Sequence, residues 1–273
     1  MILFLKGDFV KKKVVLGVLI LLLMVSVGLF VYPSISKDIE EKKINTQIEN
    51  FDTQVEEVQD KGSYEEALKE GKIDEEGYKV DKEGNRISNT PIHYKVDLDR
   101  LLKDSQAYNK NVEKNQYSLL TEATYVKSAL DLTNYGIYDG IYGYISAPSI
   151  DMSLPIYLGA SEYNMSSGAG HMTGTSLPMG GKNTNCILTA HTGYIGRTFF
   201  DNLSSLSKGD SVYVKNYFGT IHYRVVTTEV HSPKDSYRCY IEEGKDLITL
   251  ITCISDGNWG FNRYYVICER VEK

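Results

Sequence analysis

Leu247-Ile248-Thr249-Leu250-Ile251-Thr252-Cys253 is a run of apolar and β-branched residues that ends on a cysteine. The polar stretch Ser255-Asp256-Gly257-Asn258 follows almost at once, so the pattern predicts a strand and then a turn. Cys253 is therefore expected where a strand ends, with a fixed backbone and a sulfur that can reach a surface groove. A nucleophile needs that combination of rigidity and exposure.

Two more polar residues lie at the ends of predicted strands. His191 ends an apolar segment that starts at residue 186, and Arg263 opens the last predicted strand. In a thiol acyl-transfer site, Cys253 would attack a carbonyl, His191 would transfer the proton, and Arg263 would stabilise the oxyanion. We therefore predict Cys253, His191 and Arg263 as the catalytic residues.

Other residues could fill these roles, and a purely structural role is the alternative for each. A cysteine at a strand end is most often a small packing residue. His171 is the reserve candidate for the general acid and base, and Arg197, six residues after His191, could line the groove. Asp256 could orient His191 as the third member of a triad.

Short strands separated by turns are predicted throughout the second half of the chain. Many short strands with few helices favour a closed or nearly closed β-barrel, so the predicted fold class is mainly β. No internal repeat is evident. The strands are predicted at residues 143–145, 154–158, 187–192, 211–215, 222–228, 247–253 and 263–271.

Several segments together resemble the sortase family, and their order is most similar to class C sortases, the branch that assembles pili. The resemblance covers residues 143–271 and, more weakly, residues 101–120. Each segment alone is a weak signal, whereas all of them in order are a specific one. The segments are GYI at 143–145, LPIY at 154–157, GAGH at 168–171, GTSLP at 174–178, TAHTG around His191, FDNL at 200–203, KGD at 208–210, TLITC ending at Cys253, and Arg263 ten residues later.

The resemblance implies a closed eight-stranded sortase barrel with short helices, preceded by N-terminal helices and one transmembrane helix. It also implies that Cys253 attacks the Thr–Gly bond of an LPXTG-like sorting signal and holds the acyl group as a thioester. The acceptor would be a pilin lysine for a class C enzyme, or a peptidoglycan cross-bridge for a housekeeping enzyme. Neither a metal nor an organic cofactor is expected, because the thioester keeps the energy of the peptide bond.

The sequence departs from the class C pattern in three places. Class C sortases have an Asp-Pro-aromatic lid motif, but no proline occurs between Pro91 and Pro148. The histidine segment is His-Thr-Gly rather than His-Arg-Gly, and no apolar membrane segment follows the last predicted strand. Pilus assembly and the anchoring of surface proteins to the wall therefore both stay open. Residues 135–142 could cover the groove in place of the lid.

Composition and charge exclude several classes of protein. The 273 residues can hold one domain and an anchor, and the net charge of −6 with a pI near 5.5 argues against nucleic-acid binding. The four cysteines have no CxxC spacing, so neither a zinc site nor a disulfide framework is expected. Cys186 and Cys268 lie five residues from His191 and Arg263, which predicts packing roles on the opposite strand face.

An uncharged N-terminal segment predicts a membrane anchor. Residues 14–32 carry no charge, and at about 1.5 Å per residue they span a hydrocarbon core of about 30 Å. Lysines precede this segment, which predicts a single-pass protein with a cytoplasmic N-terminus and an extracellular catalytic domain at the cell membrane. A cleaved signal peptide is the alternative, but the run is longer than an ordinary signal and lacks a small-x-small cleavage site.

Four regions are expected: a cytoplasmic N-terminus at 1–13, the transmembrane anchor at 14–32, a helical stalk, linker and possible lid at 33–142, and the catalytic barrel at 143–273. In the third region, Ile44, Ile48, Phe51, Val55 and Val58 are spaced like one face of a helix. That face could belong to a stalk, a self-association seam or a helix docked on the barrel. Residues 62–91 predict a flexible insert, and residues 96–132 have helical character.

Two other functions fit the same sequence. A membrane-anchored β-domain that only binds, as an adhesin does, would not need Cys253, His191 and Arg263 to converge. A cysteine hydrolase would use the same three residues with water as the acceptor, so only the reaction products distinguish it from a transpeptidase.

Overall fold

Eight strands close into one barrel in the computed structural model of the protein, which describes residues 2–59, 63–88, 96–121, 123–194, 196–233, 237–258 and 260–272. The strands are β1 (Ile141–Ala147), β2 (Met152–Leu158), β3 (Ala169–His171), β4 (Thr184–Thr189), β5 (Ser211–Asn216), β6 (Gly219–His231), β7 (Asp246–Ser255) and β8 (Phe261–Arg270). Their order around the barrel is β1-β2-β3-β4-β7-β8-β6-β5. The β2–β3 and β4–β7 pairs are parallel, and the other pairs are antiparallel. The predicted eight-stranded barrel is confirmed.

Helices precede the barrel and interrupt its first half. Within the described residues they are α1 (Ile2–Gln59), α2 (Ser63–Lys69), α3 (Leu98–Leu119) and the single turn α4 (Glu162–Met165). The predicted anchor and the apolar stripe that follows it lie on one continuous helix, α1. Pro33 lies inside α1 although proline has no backbone N–H to donate to the preceding turn.

Alternate residues of the central strands fill the barrel and cover its outside. Ile248 and Leu250 of β7 point into the main core with Val266 of β8. Ile251 of β7 and Tyr265 of β8 belong to a separate buried cluster on the outer face. Because successive side chains of a strand point to opposite faces, β7 is buried on both sides for most of its length.

The first half of α1 is apolar and exposed. Every residue from 16 to 32 is exposed, and the most apolar window of the helix has a mean hydropathy of 2.5. Among the described residues, α1 is the helix that is long and apolar enough to cross a membrane. This agrees with a membrane span, which length and composition alone support.

The second half of α1 packs on the barrel. Ile44 joins the barrel core, and Phe51 is fully buried. The Phe51 ring meets Tyr217 and Tyr144 edge-on, with centroids 5.0 and 6.0 Å away. The apolar stripe therefore belongs to a docked helix rather than to a stalk or an association seam. The side chain of Val58, the last residue of the stripe, lies outside the described residues.

Polar contacts fix α3 across the barrel. The hydroxyl of Tyr142 donates to Ser105 Oγ at 3.1 Å, and Asn109 Oδ1 accepts from the backbone N–H of Leu177 at 2.7 Å. The helix ends at Leu119, and turns follow. The prediction of helical character up to residue 132 is therefore wrong beyond Leu119.

One strand and two strand boundaries differ from prediction near the candidate site. β3 was not predicted, because it has only three residues and contains a glycine. β4 ends at Thr189, so His191 lies two residues beyond it rather than at its end. β7 continues past Cys253 to Ser255, which fixes the cysteine backbone on both sides.

Local turns organise much of the segment predicted as a flexible insert. The pattern of residues 74–80 recurs at 81–87, each copy opening on an aspartate. Asp74 and Asp81 each accept two backbone N–H bonds from their own turn. The sequence therefore does contain a short internal repeat. Residues 89–95 lie outside the described residues.

Removing the Phe51 ring should weaken the fold strongly, because the ring is fully buried between α1 and the barrel. Phe51→Ala should lower the free energy of unfolding by about 3–5 kcal/mol. Ile39→Ala, on an exposed face of the same helix, should change it by about 0.5 kcal/mol or less. Urea unfolding followed by circular dichroism measures both. Equal effects of the two variants would contradict the docking of α1.

Candidate active site

The three predicted catalytic residues line one groove of about 440 Å³. Its floor is the outer face of β4, β7 and β8, which are neighbours in the barrel. Cys253 lies two residues after Ile251 and Arg263 two residues before Tyr265, so each shares the face of the outer cluster. His191 follows β4 at the adjacent edge. The alternation of side chains thus brings Cys253 and Arg263 together, and the end of β4 brings His191 beside them.

Cys253 and Arg263 are direct cross-strand partners in the β7–β8 ladder. Arg263 Nη1 donates to the Cys253 sulfur at 2.9 Å. Both side chains are half-buried, so the contact is only partly screened by water. A guanidinium at this distance stabilises negative charge on the sulfur and leaves further donors of its fork for a substrate oxygen.

Backbone contacts hold His191 beside the cysteine strand. Thr252 Oγ1 donates to the carbonyl of Ala190 at 2.9 Å, and the N–H of Phe200 donates to the carbonyl of His191 at 3.0 Å. The side chain of His191 is 23% exposed. In this structure the Cys253 sulfur is hydrogen-bonded to Arg263 and not to His191. Such acid–base contacts often tighten only when substrate binds.

The loop that follows His191 is built around Asp201. Its carboxylate accepts hydrogen bonds from the backbone N–H groups of Gly193 at 2.7 Å and Phe199 at 2.9 Å. Gly193 has a φ of 76°, in the left-handed region that favours glycine. The carboxylate therefore folds this loop back on itself and fixes the entry and exit of the histidine segment.

Comparison with known proteins agrees with this geometry. Residues 145–271 match the family model described as the Sortase domain. Sortase C1 of Streptococcus agalactiae is 31% identical, with a TM-score of 0.58, over 64% of this chain and 90% of that chain. This chain belongs to the sortase family. The similarity to class C sortases is confirmed.

Further relatives of this sortase come from more than one class of the family. Sortase C-1 of Streptococcus pneumoniae is 31% identical, with a TM-score of 0.57, over 65% of this chain and 91% of that chain. Sortase A of Bacillus anthracis is 32% identical over 115 residues, which are 42% of this chain and 53% of that protein. The chain therefore spans about half the length of this relative.

A glutamate and a tyrosine that the sequence did not single out flank His191. The Tyr194 ring stacks on the histidine ring, with centroids 4.6 Å apart. The Tyr194 hydroxyl donates to Glu162 Oε1 at 2.6 Å, and this hydrogen bond holds the Glu162 pKa below its usual value. The same oxygen lies 3.2 Å from His191 Nε2, with angles unsuited to a hydrogen bond. The contact is thus an ion pair only when the ring is protonated.

No spacing rule could have found this pair. Glu162 opens α4, 29 residues before His191, and reaches it only because α4 and the Asp201 loop meet in space. Glu162 is 69% exposed, so solvent weakens its attraction for the imidazolium. The stacked Tyr194 ring therefore constrains the orientation of His191 more than the Glu162 carboxylate does.

The segment after α3 forms one wall of the groove. Leu120, Thr121 and Tyr125 line it, in a chain that lacks the class C lid motif. The Tyr125 carbonyl accepts from the N–H of Ala160 at 2.8 Å, which ties this wall to the end of β2. Residues 137–140 line a different cavity, so the prediction that residues 135–142 cover the groove is wrong.

One glutamine connects α3 to the opposite wall. Gln116 Nε2 donates to the carbonyl of Cys239 at 3.0 Å, and Gln116 Oε1 accepts from the N–H of Ile241 at 2.8 Å. Cys239 itself lines the groove. Both polar groups of the amide are satisfied, so the chain between β6 and β7 is fixed to α3 at this point.

His171 cannot reach the groove. It is completely buried, and its Nε2–H donates to the Ser176 carbonyl at 3.0 Å. Burial lowers its pKa to about 4. The histidine is therefore a neutral structural residue of β3, and its interpretation as a reserve general acid is wrong.

The other two competitors are also occupied elsewhere. Arg197 donates to the carbonyl of Ser166 at the end of α4 and does not line the groove. Asp256 accepts from the N–H groups of Asn258 and Gly260, which closes the turn between β7 and β8. The carboxylate near His191 is that of Glu162, so the suggestion that Asp256 orients the histidine is wrong.

The packing roles predicted for two cysteines are confirmed. Cys186 and Cys268 lie in the main core of the barrel, and burial raises the pKa of both thiols. Cys239 is also buried, whereas Cys253 is half-exposed. Cys253 is therefore the cysteine whose sulfur both solvent and a guanidinium can reach.

The free energy of unfolding should decrease below neutral pH because of His171. Its folded pKa of about 4 lies below the unfolded value, so the unfolded chain takes up a proton first as the pH falls. This uptake should remove about 3 kcal/mol of stability between pH 7.5 and pH 4. In His171→Gln the acid-induced loss should be smaller by about that amount. Urea unfolding at both pH values tests this, and identical losses in the two proteins would contradict it.

The hydroxyl of Tyr194 should be what lowers the Glu162 pKa, since it is the largest cause of the shift. In Tyr194→Phe the Glu162 pKa should rise toward its ordinary value. Tyr163→Phe, which removes a neighbouring exposed hydroxyl, should leave it unchanged. Carboxyl carbon NMR titration of the labelled protein measures both. An unchanged Glu162 pKa in Tyr194→Phe would refute the contact.

Proposed function

We propose that the protein is a cysteine transpeptidase that cuts a sorting-signal peptide and transfers its acyl part to an amine. The main support for this proposal is the 2.9 Å contact between Arg263 Nη1 and the Cys253 sulfur, in a groove that His191 also lines. Membership of the sortase family supports the same reaction class. A domain that only binds would not need these residues to converge.

Acylation follows from the chemistry of the three side chains. The Cys253 thiolate attacks the carbonyl carbon of the scissile bond, and a C–S bond forms. The oxygen becomes an oxyanion, which Arg263 stabilises with donors that its hydrogen bond to the sulfur leaves free. Protonated His191 gives its proton to the departing amine, the C–N bond breaks, and a thioester remains.

Deacylation reverses the proton transfer with a new nucleophile. Neutral His191 takes a proton from the incoming amine, whose nitrogen attacks the thioester carbon. The C–S bond breaks and the sulfur leaves as the thiolate beside Arg263. One amide bond is broken and one is formed, so the reaction needs no oxidant, reductant or external energy source.

The substrate proposed from the family resemblance is an LPXTG-like signal, cut between Thr and Gly. The acceptor proposed is a pilin lysine, since the similar structures are class C sortases. One of them, 32% identical with a TM-score of 0.56 over 64% of this chain and 89% of its own, is described as a pilus-related sortase C of Group B Streptococcus. Anchoring to a peptidoglycan cross-bridge is the alternative, because a sortase A is also among the relatives.

The proposed location is the cell membrane, with residues 14–32 as a single span. The lysines before this segment support a cytoplasmic N-terminus, so the proposed location of the groove is outside the cell. The barrel from residue 143 onward is proposed as the catalytic unit, and no metal or organic cofactor is proposed for it.

Product analysis tests the reaction class. Residues 37–273 are incubated with an LPXTG-type peptide, with and without an amine, and the products are followed by mass spectrometry. A thioester mass and an amine-linked product, both absent in Cys253→Ala, are expected. Free acid alone, even with the amine present, would favour the hydrolase. A folded protein that reacts with no peptide of a sorting-signal panel would favour the binding domain.

Arg263 should act on the transition state more than on peptide binding. Arg263→Lys keeps the charge but loses the planar fork, so kcat should fall by about 10²–10³-fold with little change in KM. Arg224→Lys, an exposed substitution on β6, is the matched control and should keep normal activity. Steady-state kinetics with a fluorogenic sorting peptide separates kcat from KM. Equal activity of the two variants would contradict the role of Arg263.

A further inference from the structure

The barrel begins to contact α1 at the residue where the apolar segment ends. All residues from 16 to 32 are exposed, and Pro33, Ser36 and Glu40 are the first that are partly covered. Buried Ile44 continues the same helical face. No length of free helix therefore separates the proposed membrane span from the barrel.

The part of the barrel that makes this first contact is the loop after His191. A β-carbon added at Gly196 would overlap the Ser36 side chain and would lie 3.4 Å from the Pro33 carbonyl oxygen. Gly196 also has a φ of 73°, which favours glycine. The loop backbone thus lies directly against the first turn of α1 beyond residue 32.

The helical rise gives the height of this contact above the membrane. Ser36 lies four residues past Tyr32, which is about 6 Å along the helix axis. The headgroup layer on each side of the hydrocarbon core is about 5–8 Å thick. With Tyr32 at the core boundary, the Gly196 loop lies at the depth of the lipid headgroups.

We infer that the described residues of the loop after His191, 192–194 and 196–198, form a lipid-facing surface, which rests in the headgroup layer of the membrane that α1 crosses. The inference rests on the membrane anchor in the proposed function. The loop contacts the lipids of the outer leaflet that surround α1. The helix is continuous from the span to the loop, so no spacer holds the loop away from these lipids. His191 precedes this loop, so one end of the catalytic groove opens at the membrane surface.

The exposed side chains near this contact suit such a surface. Tyr194 is 39% exposed, and tyrosine is favoured at membrane–water interfaces. Ile35 of α1, three residues past Tyr32 and so within the headgroup layer, is 53% exposed. Contact with the acyl boundary removes apolar side chains in this position from water, which is energetically favourable.

A depth measurement tests the inference without relying on activity. Single cysteines are introduced into the full-length Cys253→Ala protein in nanodiscs, where the other three cysteines are buried. A fluorophore is attached at Ser34→Cys, Tyr194→Cys or Thr220→Cys, and quenching by headgroup-labelled lipid is measured. Thr220 is exposed and pairs with Lys215, which contacts Asp52 at 2.7 Å. Asp52 lies sixteen residues past Ser36, about 24 Å further from the membrane.

Quenching several-fold stronger at positions 34 and 194 than at position 220 is the expected result. A seven-residue helical insert of Ala, Glu and Lys between Ser34 and Ile35 keeps the helical face and lifts the barrel by about 10 Å. It should abolish quenching at 194 and preserve it at 34. Quenching at 34 with none at 194 would overturn the inference and leave the anchor intact. Quenching at neither position would overturn both, while transpeptidation by residues 37–273 would still be judged separately.

Discussion

The register of β7 between β4 and β8 is the constraint on which the rest of this protein depends. It pairs Cys253 with Arg263 across one ladder and places His191 at the adjacent edge. A slip of one residue would turn the cysteine into the barrel core and leave the guanidinium without its partner. The many buried residues on both faces of β7 make such a slip costly, so packing of the core determines the geometry of the site.

The helices outside the barrel hold the walls of the groove. Gln116 joins α3 to the chain before β7, and the Tyr125 carbonyl joins the segment after α3 to the end of β2. Two walls that are far apart in sequence are thus attached to the same helix. The hydrogen bonds of Asp201 fix the histidine segment separately, whereas Cys253 and Arg263 are held together by the β7–β8 ladder.

The sequence was informative wherever a pattern repeats with a fixed period. The two-residue alternation of the strands predicted the barrel, the nucleophile strand and the inward direction of Cys186 and Cys268. It failed for β3, which is too short to show alternation, and for His191, which lies just past its strand. Glu162 and Tyr194 carry no periodic signal, because only the meeting of α4 with the Asp201 loop brings them to the histidine.

The order of the elements along the chain also governs when the groove can exist during synthesis. α1 is made first, whereas β7 and β8, with the sulfur and the guanidinium, are made last. The β7–β8 hairpin must insert between β6 and β4, a strand more than fifty residues earlier, before the barrel closes. A growing chain therefore cannot bring the sulfur of Cys253 beside Arg263 until its barrel is nearly complete.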